Sequence, residues 1–158
     1  MPDLRPIRGT DIADVLALNL RNVVNLAPMD ETRLHELAAM ADRFDVVDVD
    51  GAFAGFVITF GPGTTYDSPN YHWFSERHDR FYYLDRIVLH EDFRRRGLGG
   101  FVYDEMERVA TPYKRLSLEV NLLPRNDVSL AFHEGRGYKE VGRLGDDEHL
   151  VALMEKSL

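Results

Sequence analysis

Hydrophobic positions change their spacing several times along the chain, and each change predicts an element. Leu4-Arg5-Pro6-Ile7-Arg8 reads as a short opening strand. Thr10-Asp11 offers a capping side chain ahead of Ile12, Val15, Leu16, Leu18 and Asn19, which recur at helical spacing. Pro28 and Asp30 break and restart the chain, and Thr32, Leu34, Leu37, Ala38 and Met40 predict a second short helix. Phe44 to Val49 alternates loosely, Asp50-Gly51 is a two-residue hairpin signal, and the return strand runs from Phe53 to Phe60. Inside that strand Gly55 permits a close backbone approach or a bulge.

Residues 61–80 are turn-rich and aromatic, with Tyr66, Tyr71, Trp73 and Phe74 close together. A structureless connection of that length in a small domain works as a lid or a binding wall, and Asn70 to Arg77 allows a short helix within it. Phe81 to Leu89 is the clearest strand. It runs into the basic turn Arg94-Arg95-Arg96-Gly97-Leu98-Gly99-Gly100 and a helix with Leu98, Val102, Met106 and Val109 on one face, ended by Thr111-Pro112. Leu116, Leu118 and Val120 alternate with Ser117, Glu119 and Asn121 in a half-polar strand. Asn126 caps a short helix that stops near Gly135 and Gly137, and Tyr138 to Arg143 with His149 to Met154 predict a terminal strand pair. The order β-α-α-β-β-β-α-β-α-β-β, without repeats or linkers, predicts a single α/β domain of mixed α+β type over residues 1–158.

Composition narrows the chemistry. A chain of 158 residues, 44% apolar and 29% charged, is globular and fits one core. It has no Cys, which excludes disulfides, zinc ribbons, iron–sulfur clusters and thiol nucleophiles. No apolar run approaches the ~18 residues of a membrane span, and Met1-Pro2-Asp3-Leu4-Arg5 is no secretory signal, so a cytoplasmic protein is expected, without a membrane partner. The net charge of −8 repels a phosphate backbone, argues against nucleic acid, and mildly attracts amines.

The basic glycine turn is the strongest chemical signal. Glycines let backbone N–H groups face a ligand, and the following helix N-terminus and the arginines add positive charge, an arrangement that suits a pyrophosphate. A P-loop would need Gly-Lys-Ser/Thr here, and a dinucleotide fingerprint a third glycine or alanine; neither is present. The plainer alternative is a surface arginine cluster before a glycine-rich helix start.

At these residues the chain resembles the GNAT superfamily of acyl-CoA N-acyltransferases. Arg94-x-x-Gly97-x-Gly99 matches its Arg/Gln-x-x-Gly-x-Gly/Ala signature. Asn126 to Tyr138 is similar to its Asn-x-x-Ala-x-x-Leu-Tyr-x-x-x-Gly-Phe run, with His133 where many members have Tyr. The resemblance implies a strongly bent mixed sheet whose fourth and fifth strands splay apart around acetyl-CoA. It implies that Arg94, Arg95, Arg96, Gly97, Leu98, Gly99 and Gly100 hold the pyrophosphate. Ile87, Val88 and Leu89 would pair with the pantetheine arm, and Asn126 would hold its end. The implied reaction is direct attack of an amine on the thioester, with a backbone donor for the oxyanion.

Such a transfer needs a base and benefits from an acid. Glu119 is the candidate base, or else a solvent-facing strand carboxylate. His133 is the candidate acid, favoured as a cation by its helix-end position, or else a cap that packs. Asp85 would bind the acceptor amine or pair with Arg86 or Arg80. Tyr66, Tyr71, Trp73 and Phe74 would wall the acceptor site or pin the long connection. His72 and His78 with Asp67, Glu76 or Asp79 fit no closed metal site, so no metal is expected. The leading reading is an acetyl-CoA-dependent N-acetyltransferase acting on a small-molecule or protein amine; the alternative is a non-catalytic acyl-CoA sensor or structural module. A terminal strand pair also leaves edges for a homodimer.

Overall fold

The computed structural model describes residues 1–158 and contains seven strands and five helices. The strands are β1 (Pro2–Pro6), β2 (Arg43–Val49), β3 (Ala52–Phe60), β4 (Tyr82–Leu89), β5 (Arg115–Leu123), β6 (Lys139–Gly145) and β7 (Leu150–Ser157). The helices are α1 (Ile12–Leu20), α2 (Glu31–Met40), α3 (Pro69–Arg77), α4 (Leu98–Ala110) and α5 (Asp127–Gly135). One mixed sheet carries all the strands in the order β1-β2-β3-β4-β5-β7-β6.

Local chemistry accounts for the main connections. Asp50 and Gly51 both take positive φ, 52° and 89°, which is what a tight two-residue hairpin between β2 and β3 requires. Gly55 has φ +157°, and a Cβ there would lie 2.2 Å from the Val88 carbonyl oxygen, so this is the close approach of β3 to β4. The long connection is not structureless. Ser68 Oγ accepts from the Tyr71 N–H at 3.3 Å and Pro69 fills the first turn, so α3 starts cleanly there.

Neighbouring strands are antiparallel except β4 and β5, which the crossover through α4 makes parallel. Their ladder holds only two pairs, Tyr82 with Leu116 and Tyr83 with Ser117. Beyond it, Leu84–Leu89 and Leu118–Leu123 part company, and the sheet opens.

Each face of the sheet has its own apolar layer. Val102, Met106 and Ala110 of α4 pack on Tyr82, Leu84, Leu116, Leu118 and Val120. On the other face Leu18 of α1, Leu37 of α2, and Tyr71 and Phe74 of α3 pack on Phe56, Phe60 and Tyr83. β5 keeps strict alternation, so Ser117, Glu119 and Asn121 share the face opposite α4. β4 does not: its register passes from Ile58–Arg86 to Thr59–Leu84, leaving Asp85 as an extra residue without a β3 partner. This bulge lets the sequence neighbours Asp85 and Arg86 both reach the α1–α3 face.

Candidate active site

The opening between β4 and β5 is a cavity of about 670 Å³ that passes through the sheet. Tyr103 of α4 and Ser129 and His133 of α5 line it on one face, and Arg33, Tyr66 and the segment Val23–Pro28 on the other. Asp85–Ile87 and Leu118–Asn121 form the walls between.

The segment after α1 is strapped across the opening. Arg86, only 4% exposed, donates through Nη1 to Asn19 Oδ1 at 3.0 Å and to the Ala27 carbonyl at 2.7 Å. Asn19 Nδ2 donates to the same carbonyl at 3.1 Å. From the opposite wall, Asn121 Nδ2 donates to Asn25 Oδ1 at 3.0 Å. One strap is thereby fixed to both parted strands.

Two carboxylates face the middle of the cavity. Asp85 accepts from Tyr66 Oη at 2.8 Å and from Arg86 Nε at 3.2 Å. Burial raises its pKa above the ordinary carboxylate value, against the pull of Arg86 and the tyrosine hydroxyl. Glu119 accepts from Tyr83 Oη at 2.5 Å. Burial first, and the Asp85 charge second, push its pKa up to about 8, with Tyr83 and Asn70 opposing. Arg86 thus pairs with Asp85 and Arg33 with Asp67, while Glu119 has no cationic partner.

Before α4, Arg95 and Gly97 take left-handed φ of 62° and 75°, and no side chain caps the helix. The N–H groups of its first turn are therefore free for an anion, with Arg94, Arg95 and Arg96 exposed around them. Leu98 contributes backbone only, since its side chain is buried in the α4 layer. Ile87, Val88 and Leu89 lie on the length of β4 that has lost β5, so one backbone edge there has no ladder partner. Asn126 Oδ1 caps α5 by accepting from the Ser129 N–H at 3.2 Å, leaving its amide free toward the cavity it lines. A diphosphate followed by an extended amide chain fits this donor set.

Two expectations fail on packing. Of the four aromatic residues offered as an acceptor wall, only Tyr66 faces the cavity. Tyr71 and Phe74 are 1% and 0% exposed because the amphipathic α3 turns both onto the sheet. Trp73 lies over Gly142 of β6, under the Arg77 guanidinium at 3.6 Å from its ring. His133 is not favoured as a cation either. It is 5% exposed, and burial lowers its pKa more than the hydrogen bond to the Ser129 backbone raises it. Its Nδ1 lies 2.7 Å from the Ser129 carbonyl oxygen and its Nε2 2.5 Å from Tyr103 Oη. The sequence pattern put Val109 on the buried face of α4 and passed over Tyr103; burial of Tyr103 and Ala110 rotates that face slightly. Asp85 does pair with Arg86, while Arg80 gives its carbonyl to Arg115. His78 pairs with Glu155 at 3.0 Å, and no three His, Asp or Glu side chains converge as a metal site.

The sequence profile of the Acetyltransferase (GNAT) family matches residues 10–138. This chain belongs to the GNAT acetyltransferase family. Its fold is shared with Ard1 from Thermoplasma volcanium, at TM-score 0.78 and 18% identity over 99% of this chain and 97% of that one. The ribosomal-protein-S18-alanine N-acetyltransferase from Escherichia coli gives TM-score 0.66 and 20% identity over 99% and 94%. Arabidopsis thaliana Naa50, solved with the bisubstrate analogue CoA-Ac-MVNAL, gives 0.72 and 12% over 99% of each chain. A search of curated proteins finds no match to the chain. The GNAT family uses acetyl-CoA as its acetyl donor.

Proposed function

We propose that this acetyltransferase moves acetyl from acetyl-CoA to a primary amine, of a small molecule or a protein, by direct attack while both are bound. The observation that carries the reading is the cavity through the sheet: two reactants entering from opposite faces meet beside Asp85 and Glu119. On the donor side, Arg94, Arg95 and Arg96 and the backbone from Gly97 to Gly100 take the pyrophosphate. The free edge of Ile87, Val88 and Leu89 pairs with the pantetheine arm as an added strand, and the Asn126 amide donates to its end. Bound acetyl-CoA supplies an electrophilic thioester carbonyl, and a β4 backbone N–H is the donor aimed at its oxygen.

On the acceptor side, Glu119 has no cationic partner of its own, and an ammonium ion beside it supplies one and favours its carboxylate form. Glu119 takes the proton that frees the nitrogen lone pair, directly or through one water, and Asp85, held by Tyr66 and Arg86, keeps the negative field in place. Beside the mouth stand Leu20, Val23 and Val24, exposed by 70%, 41% and 68%. A depression of about 310 Å³ lined by Leu20, Val23, Pro28 and Met29 together with Asp30 and Arg33 joins the cavity there. Exposed apolar surface at a mouth suits an apolar body behind the amine.

Calorimetry with CoA and acetyl-CoA on wild type and Gly99→Trp comes first, followed by thiol release with 2-phenylethylamine, a Met-initiated peptide, lysine and spermidine. Wild type is expected to bind both cofactor forms, Gly99→Trp neither, and the two apolar acceptors to outrun lysine and spermidine. Absence of binding by wild type overturns the reading. Binding without thiol release for any amine turns it into an acyl-CoA sensor.

A further inference from the structure

Tyr103 Oη and His133 Nε2 meet 2.5 Å apart at the donor side of the cavity, from α4 and α5. A proton count decides which of them gives. His133 Nδ1 lies 2.7 Å from the Ser129 carbonyl oxygen and 3.2 Å from the Ser129 hydroxyl; the carbonyl has no hydrogen and is the shorter contact, so Nδ1 carries the hydrogen and donates. A neutral imidazole then holds only a lone pair at Nε2, and the Tyr103 hydroxyl must donate to it. Burial first, and the Arg136 guanidinium after it, lower the imidazole's pKa against the Ser129 backbone hydrogen bond and Glu107, so it is neutral. Tyr103 in turn faces Arg136, Glu107 and Glu119 and packs edge-on to Tyr138; burial holds its phenol above its usual range, so it keeps its hydrogen. The pair therefore offers one mobile hydrogen to the cavity, and it sits on the tyrosine.

We propose that Tyr103, rather than His133, is the donor that steadies the sulfur as CoA departs, and that His133 is the positioning residue for its hydroxyl. The inference rests on the acetyl-transfer reading above. In the resting site the hydroxyl is satisfied by Nε2. As the C–S bond breaks and its electron pair gathers on sulfur, rotation about the C–O bond exchanges that neutral hydrogen bond for a charge-assisted one, which is stronger. The phenol keeps its hydrogen; the second proton that the nitrogen sheds as the C–N bond forms passes to water, and the released thiolate takes one back from water. Because the gain appears only as charge develops, it lowers the barrier and leaves donor affinity unchanged.

Three variants and one spectrum test this, with the fastest acceptor of the panel above. Tyr103→Phe is expected to lose about 10²-fold in kcat, the scale of one lost anion-stabilising donor, with its acetyl-CoA Kd unchanged. His133→Gln, whose Oε1 can still accept from Tyr103, keeps most of the wild-type kcat, while His133→Ala falls with Tyr103→Phe. The ¹⁵N spectrum of wild type at pH 7 shows His133 protonated at Nδ1 and bare at Nε2. A Tyr103→Phe enzyme with wild-type kcat overturns the proposal, as does an Nε2–H tautomer or an imidazolium. Should Tyr103→Phe fail to fold, the tautomer and His133→Gln decide, and a Gln variant as slow as Ala overturns it. A wild type that neither binds acetyl-CoA nor releases thiol sinks the transfer reading instead, whatever the spectrum shows.

Discussion

Replacing Asp85 by asparagine isolates what governs the ionisation of Glu119. With a pKa of about 8, Glu119 is roughly one-tenth ionised at pH 7 and about nine-tenths at pH 9. If it is the base, kcat/KM for the acceptor climbs about tenfold over that interval. Asp85 is the largest contributor to the shift after burial. Its removal deletes a negative neighbour and leaves Arg86 without its partner, and both changes favour the Glu119 carboxylate. The rising limb therefore moves toward acid pH in Asp85→Asn, and the rate at pH 7 gains by at most about tenfold, since that is the fraction still to be ionised. The acceptor's own ammonium ionises alike with both proteins, so any displacement between their profiles belongs to the enzyme. Thiol release at subsaturating acceptor between pH 6 and 10 supplies the profiles, and ¹³C titration of the Glu119 carboxyl supplies the same ionisation without substrate. Coincident limbs for wild type and Asp85→Asn, or a limb that survives in Glu119→Gln, refute the reasoning.

The other expectations concern the frame around the site. Gly55→Ala places a methyl 2.2 Å from the Val88 carbonyl at a φ of +157°, which is expected to cost about 3 kcal/mol and lower Tm by roughly 6–12 °C; a melt within about 2 °C of wild type would mean that β3 and β4 separate easily. Arg86→Met removes the cation paired with buried Asp85 and frees the strap, a loss of about 3–5 kcal/mol in urea unfolding. That loss shrinks at low pH, because the unpaired Asp85 then folds in its protonated form, and an equal loss at pH 5 and pH 8 contradicts the pairing. Glu119 also leaves a trace in stability. Its folded pKa lies above the unfolded value of 4.5, so its contribution is complete below that value and is lost as pH rises toward about 8. Thermal melts across this window should slope downward in wild type and less so in Glu119→Gln.

What the sequence made legible is whatever rests on neighbours in the chain. The Asp50-Gly51 hairpin, the Asn126 cap and the passage from β4 through the glycine turn into α4 each depend on backbone preferences of a few adjacent residues, and they stand where the pattern put them. Glu119 fell on the polar face of β5 by simple alternation. Arg86 did not follow alternation from Tyr83 and Asp85, because a bulge shifts the parity of β4, and nothing in Leu84-Asp85-Arg86 announces which residue β3 will skip. The aromatic segment misled for a related reason. Tyr71 and Phe74 form an α3 face three residues apart, which a loop reading spreads over a wall. Tyr103 and His133 lie on different helices, and only the packing of α4 against α5 brings a hydroxyl to the tip of an imidazole. The strap is the furthest from sequence, since it joins Asn19, Asn25 and Ala27 to Arg86 and Asn121 across long separations.

The bulge, the splay and the strap make one arrangement. A parallel pair that ended flush with its neighbours would close the sheet and leave no passage between its faces. Ending the ladder at Tyr83 and Ser117 opens one, but it also strips backbone groups and apolar edges of their partners. The strap covers part of that edge, and it needs a polar anchor on each wall to stay there. On β5, alternation alone delivers Asn121. On β4, an anchor at Arg86 and a carboxylate at Asp85 would point to opposite faces in a regular strand, so the extra residue is what lets both serve the same cavity. It follows that shifting the bulge should harm strap and catalysis together. Deleting Asp85, unlike Asp85→Asn, would keep the Ile58–Arg86 and Thr59–Leu84 pairs, make them consecutive, and remove the carboxylate. Such an enzyme should therefore still hold its strap yet lose the coupling that sets Glu119, with its ionisation falling toward the ordinary carboxylate range.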